Sequence, residues 1–155
     1  MANKRQSLCN LYLDFLLRAQ AFSPPSSWYV GLLSAAASRS SAGTEISTGA
    51  GYTGYARIEV VSSLANWSGT QGDGTTTASS GTNNYVSNNA AIQFSASLAV
   101  AWTGIVGFAL YDAVSAGNQR LFGVIVDSGG SPITRSFAIG EACSFAAGTL
   151  RIYEA

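Results

Sequence analysis

From Trp28 to Tyr153 the chain breaks into short apolar runs separated by Gly, Ser, Asn and Pro, with no helical spacing between them. This is the strongest constraint on the fold, because a chain of such segments has to pair strands. Trp28 to Ser34 places Trp28, Val30 and Leu32 on one face and Tyr29 and Leu33 on the other. Arg57 to Val61 sets Ile58 and Val60 against Arg57 and Glu59, and Ala91 to Ala96 alternates Ile92 and Phe94 with Gln93 and Ser95. Ile105 to Tyr111 and Leu121 to Val126 are apolar on both faces, as central strands are, with Ala116-Gly117-Asn118 as the turn between them. Ile133 to Ile139, Ala142 to Ala146 and Thr149 to Tyr153 follow, joined tightly at Gly140-Glu141 and Ala147-Gly148. About eight strands without intervening helices predict an antiparallel β-sandwich or jelly-roll-like domain.

One segment departs from this pattern. Leu8, Leu11, Tyr12, Phe15, Leu16 and Ala19 fall at i, i+3, i+4, i+7 spacing, opposite Asn10, Asp14 and Arg18. Asn3 and Gln6 are placed to cap an amphipathic helix, and Pro24 and Pro25 to end it. Lys4 and Arg5 ahead of an apolar stretch have the look of a signal peptide, but Asp14 and Arg18 interrupt it and its period is helical. The expected organisation is an N-terminal helix arm over residues 1–23 and a β-sandwich domain over 24–155. That domain carries a long polar loop over 66–89, and a second low-complexity stretch runs from Ala35 to Gly54.

At 155 residues the chain is long enough to bury one core. Only 10% of its residues are charged and the formal net charge is +0, so little charge keeps an exposed surface monomeric. That favours a surface covered by partners, most simply by copies of the chain itself. The basic residues are scattered from Lys4 to Arg151 and form no patch for nucleic acid, and no apolar run reaches the ~20 residues of a membrane-spanning helix. Cys9 and Cys143 read as two buried free thiols, with a disulfide between them as the alternative.

Catalytic chemistry finds little to work with. The chain has no His, which removes Ser-His-Asp and Cys-His arrangements. Glu45, Glu59, Asp73, Asp112, Asp127, Glu141 and Glu154 show no spacing that singles out a glycosidase pair. Asp73-Gly74 and Asp127-Ser128-Gly129-Gly130 lack the alternating oxygen ligands of a calcium loop, so no metal, cofactor or catalytic residue is expected. Saccharide binding is the remaining option. Trp67, Tyr85 and Trp102, beside Asn83, Asn84, Asn88 and Asn89, are residue types that stack on and hydrogen-bond sugars; against this, Trp102 can be core and the Asn residues turn formers.

Several segments in order carry a resemblance. They are Leu8-Cys9-Asn10-Leu11-Tyr12-Leu13-Asp14-Phe15-Leu16-Leu17, Trp28-Tyr29-Val30-Gly31-Leu32-Leu33, Thr44-Glu45-Ile46-Ser47 and Gly54-Tyr55-Ala56-Arg57. Asn89-Ala90-Ala91-Ile92-Gln93-Phe94, Gly107-Phe108-Ala109-Leu110-Tyr111-Asp112-Ala113 and Ser144-Phe145-Ala146-Ala147-Gly148-Thr149-Leu150 complete the set. Together they resemble a family of small tailed-bacteriophage virion proteins, often labelled tail-fibre-like, some of which serve as capsid cement or decoration proteins. The chain departs from that family in the length of its polar segment from Asn66 to Asn89. The resemblance implies a multimeric, all-β virion component with a leading helix.

The expected function is a non-enzymatic capsid cement or decoration protein on the virion surface, a homo-oligomer with a trimer favoured, contacting the major capsid protein or other virion proteins. Its interface would be Leu8, Leu11, Tyr12, Phe15 and Leu16, docked on its own sandwich, a sister subunit or the shell. The alternative is a tail-fibre or baseplate protein that binds host surface saccharide through the region of Trp67 and Tyr85.

Overall fold

A computed structural model describes residues 2–69, 85–95 and 98–153 of the chain. The order is β1 (Ala2–Lys4), α1 (Gln6–Arg18), β2 (Ser27–Ala35), β3 (Thr44–Glu45), a 3-10 turn (Thr48–Ala50), β4 (Ile58–Val61), β5 (Trp67–Ser68) and β6 (Tyr85–Asn88). Then come β7 (Ile92–Ser95), β8 (Trp102–Ile105), β9 (Gly107–Tyr111), β10 (Gln119–Val124), β11 (Arg135–Phe137), β12 (Cys143–Phe145) and β13 (Arg151–Tyr153). The protein is mainly β, antiparallel throughout, with one N-terminal helix.

The second half of the chain pairs as nested hairpins. β9 pairs β10, β8 pairs β11, β7 pairs β12 and β6 pairs β13, each antiparallel. A long hairpin folded back on itself in this way is the pairing logic of a jelly roll. β2, carrying β3 and β4 on its outer side, adds to β9, and β1 adds to β10, giving a six-stranded sheet. The principal core lies between this sheet and the shorter ladders, and includes Val30, Leu32, Phe94, Trp102, Ile105 and Leu110. Period-2 alternation was a correct guide here: Trp28, Val30 and Leu32 of β2 face that core, while Tyr29 and Leu33 face a second cluster with Ala109, Tyr111 and Phe122. The segment after β2 folds back over this second face, where Ala37 packs and the Ala42 carbonyl accepts from Gln119 Nε2 at 3.0 Å.

Several expectations are corrected. Asn3 does not cap the helix: it lies in β1 opposite Phe122, and the N-cap is Arg5, with no side-chain capping bond. The ladder bonds that β1 gains at the sheet edge outweigh one capping bond. The helix stops at Arg18, before the prolines, where Ala19 takes a left-handed conformation (φ 52°) and its N–H returns to the Asp14 carbonyl. Ile105 to Tyr111 is two strands, because the chain turns a corner at Val106 and passes from the β8–β11 ladder to the main sheet. At that corner the Val106 N–H bonds the Leu33 carbonyl at 2.9 Å.

The polar stretch over 66–89 begins and ends in strands, β5 and β6, which pair with each other. Residues 70–84 within it lie outside the described residues, as do Asp73, Asn83, Asn84 and Glu154. Both cysteines are free; Cys143 is buried, which pushes its thiol up to about 11, while Cys9 on α1 is only half-buried.

Candidate interaction surfaces

α1 is held only at its root. Arg5 N–H donates to the Arg120 carbonyl at 2.9 Å and Gln6 N–H to the Arg39 carbonyl at 3.1 Å. The Arg39 guanidinium reaches Cys9 Sγ at 3.5 Å, and Leu8 is half-buried. Beyond that point the helix leaves the body, and none of its residues is buried. Leu11, Tyr12, Phe15 and Leu16, expected as interface, are exposed together with Leu13 and Leu17, the last at 79%. Phe15 meets the half-buried Phe22 nearby, with ring centroids 6.4 Å apart.

At about 100° per residue, the apolar positions from Leu11 round to Leu17 sweep on the order of 240° of the helix, leaving Asn10, Asp14, Ser7 and Arg18 as the polar strip. Sequence reasoning missed Leu13 and Leu17, although their i, i+4 relation was visible. A single-face template looks for one stripe, and this helix is wider than that. Arg18 pairs with Asp14 at 2.9 Å, an exposed i, i+4 bridge worth about 0.3–0.5 kcal/mol, too little to hold the helix alone.

Trp67 and Tyr85 are not brought together. Trp67 stands opposite Asn88 in the β5–β6 ladder, and Tyr85 lies three residues from Asn88 on the same strand. The two rings therefore leave opposite faces. Trp67 packs against the core, while Tyr85 meets Tyr153 at 5.4 Å and lies under the Arg151 guanidinium at 5.2 Å. Trp102 is fully buried. Asn88 is spent on backbone, donating to the Ala90 and Ala146 carbonyls and accepting from Leu150 N–H, and Asn89 donates to the Leu64 and Ala65 carbonyls.

Four separate sequence segments converge on one polar cluster. The Arg57 guanidinium forms a fork with Glu45, Nε to Oε1 at 2.8 Å and Nη2 to Oε2 at 2.7 Å. It lies 3.4 Å over the Tyr111 ring and donates through Nη1 to the Ala113 and Ala116 carbonyls. Tyr55 Oη donates to Glu45 Oε1 at 2.7 Å and accepts the Leu32 N–H at 3.0 Å, filling the gap that β3 and β4 leave along β2. Burial, then the Glu45 carboxylate, push the Tyr111 phenol up to about 12, and the Tyr55 phenol is raised further for the same reasons. Burial alone would lower Arg57, but the bond to Glu45 and its charge reverse the sign.

The remaining described carboxylates with contacts also serve the chain's own turns. Asp112 is held below the usual carboxylate range: burial opposes this, but bonds from Asn118 N–H, the Asn118 amide and Arg120 prevail. Asp127 Oδ1 accepts Gly129 and Ser131 N–H, and Glu141 Oε2 accepts Ala138 N–H. Among the described residues no group of three His, Cys, Asp or Glu is placed to hold a metal ion.

The geometry is that of a scaffold with a protruding apolar helix, and the comparisons agree with a particle component. No curated protein matches the chain. The family model described as podophage GP4 fiber I protein gp80 matches residues 4–153, which spans α1 and every strand from β2 to β13. The chain belongs to this podophage GP4 fiber I protein gp80 family, and is a structural protein of the phage virion.

Proposed function

We propose that this chain is a non-enzymatic subunit of the phage particle that assembles as a homo-oligomer, a trimer by preference, through α1. The observation that carries the reading is the row of exposed apolar side chains on that helix, Leu11 to Leu17, held away from the subunit's own body. Burying six large side chains contributes on the order of 1.5–3 kcal/mol each before ordering costs, enough to drive association. An apolar arc of about 240° serves two neighbours at once, which a three-fold helix cluster supplies and a two-fold pair does not. The low net charge leaves nothing to oppose that association.

Within the particle, the family's description as a fiber protein supports a place in a fibre, with the β body as the rigid unit. Capsid decoration is the second reading. It is favoured by the same helix, since three copies on one shell site would turn modest single contacts into near-permanent attachment. Adding the purified protein to isolated tails and to empty capsids, then sedimenting each, separates the two. Saturable binding to tails alone supports the fibre placement, and binding to capsids alone supports decoration. A protein that remains monomeric and binds neither overturns the assembly role.

A further inference from the structure

Most cations of this molecule are already committed. Arg18, Arg57 and Arg120 sit in ion pairs, and Arg5 and Arg39 donate to the Ser38 carbonyl and to Cys9 Sγ at the helix root. Two further arginines have no carboxylate partner among the described residues, Arg135 at the start of β11 and Arg151 at the start of β13; both are exposed, Arg151 Nε donating to the Gly148 carbonyl at 3.2 Å and the Arg135 guanidinium lying 5.9 Å from the Phe137 ring. The chain brings these two, far apart in sequence, to the same groove of about 860 Å³.

The groove has an apolar floor that includes Phe108 and Phe145, and a rim that includes Thr149, Tyr153 and one carboxylate, Asp127, whose Oδ1 is taken by the Gly129 and Ser131 N–H groups. Tyr85 braces the site from beside it, its ring tilted against Tyr153 at 5.4 Å and lying 5.2 Å from the Arg151 guanidinium. Guanidinium forks match carboxylates, aromatic rings match the C–H faces of pyranoses, and a hydroxyl serves sugar hydroxyls. A peptide strand finds less to bind here, because the backbone at the rim is used internally. Ile125 N–H bonds the Val106 carbonyl, Ile133 N–H the Ile125 carbonyl and Asp127 N–H the Ser131 carbonyl.

We propose that the groove between β10, β11 and β13 binds an acidic saccharide unit, its carboxylate on Arg135 and Arg151 and its ring against Tyr153. The proposal rests on the fibre reading only for the source of the ligand, a carboxylated surface glycan. It also moves saccharide recognition away from Trp67, while keeping Tyr85 as a supporting residue.

The test is titration of the intact protein with oligogalacturonate, with dextran as a neutral sugar and oligoglutamate as an acidic chain without sugar rings. Oligogalacturonate is expected to bind in a salt-sensitive way, and dextran and oligoglutamate at least ten-fold more weakly. The double variant Arg135→Gln, Arg151→Gln is expected to lose binding at least ten-fold with a thermal midpoint shifted by no more than a few degrees, since both side chains are exposed and hold no ion pair among the described residues, and Tyr153→Ala to lose it several-fold. Absence of oligogalacturonate binding, binding unaffected by the double variant, or oligoglutamate binding as tight as the sugar acid would each overturn the proposal. Sedimentation of the same double variant with tails reads the fibre placement independently of the groove, so the two failures are distinguishable.

Discussion

Gly31 is where the polar cluster and the sheet compete for the same space. A Cβ there would stand 2.8 Å from Glu45 Oε1, 2.9 Å from Tyr55 Oη and 3.0 Å from Tyr111 Cε2, all held by the Arg57 fork. Gly31→Ala is therefore expected to cost about 1–3 kcal/mol, read as a lower urea midpoint at unchanged slope; an unchanged midpoint would mean that the cluster yields freely. The same cluster sets an alkaline limit. A phenol whose folded value lies above its ordinary 10 contributes stability that is full below pH 10 and is lost as pH rises through the folded value. Stability is expected to fall between pH 10 and about 12, as Tyr111 ionises in the unfolded chain but not in the folded one, with Tyr55 extending the fall upward. Tyr111→Phe should make that slope shallower, measured as unfolding free energy against pH; an identical slope in the variant would refute the assignment.

At the scale of elements, α1 and the sheet are energetically separate. A helix of 13 residues is marginal in water, and this one draws support from its root and from whatever covers its apolar arc. If α1 assembles the proposed oligomer, replacing Leu16 and Leu17 with Gln is expected to leave a monomer at micromolar concentration. The subunit's own stability should change by no more than about 0.5 kcal/mol per site, because neither side chain packs on the body. Sedimentation equilibrium beside a urea titration reads both quantities. An oligomer that survives the double substitution would move the interface off the helix.

For the whole molecule, nesting places distant residues in register: Tyr85 with Tyr153, Ile92 with Phe145, and Trp102 with Phe137. Closing such long loops is slow, so refolding is expected on the scale of ~1 ms to 1 s, as for other β folds of high contact order. Stopped-flow fluorescence of the buried Trp102 measures this, and a microsecond phase carrying the full amplitude would contradict the nested order. Nesting also explains how a virion subunit with few charges holds its shape. Its first and last described strands are tied by ladders, β1 on β10 and β13 on β6.

The sequence by itself determined which way the alternating strands face, but not the strands that carry no such pattern, β1, β3, β5 and β6. Alternation at Trp28 to Leu33, Ile58 to Val60 and Ile92 to Phe94 follows from the pleat and needs no knowledge of partners. It also determined that a helix lies near the N-terminus, because a period of 3.6 is a local property, but not that β1 comes before it. Partner choice was decided by tertiary structure alone. Nothing local tells β12 to pair with β7 rather than with its neighbour β11, or splits Ile105 to Tyr111 at Val106 so that its halves join different ladders. The candidate sites divide in the same way. The apolar helix was legible because its pattern is local, whereas the register of β5 on β6 sent Trp67 and Tyr85 to opposite faces, and the packing of distant ladders set Arg135 and Arg151 on the same groove. Local periodicity fixes the direction of a side chain; only the packing of distant segments fixes what it meets.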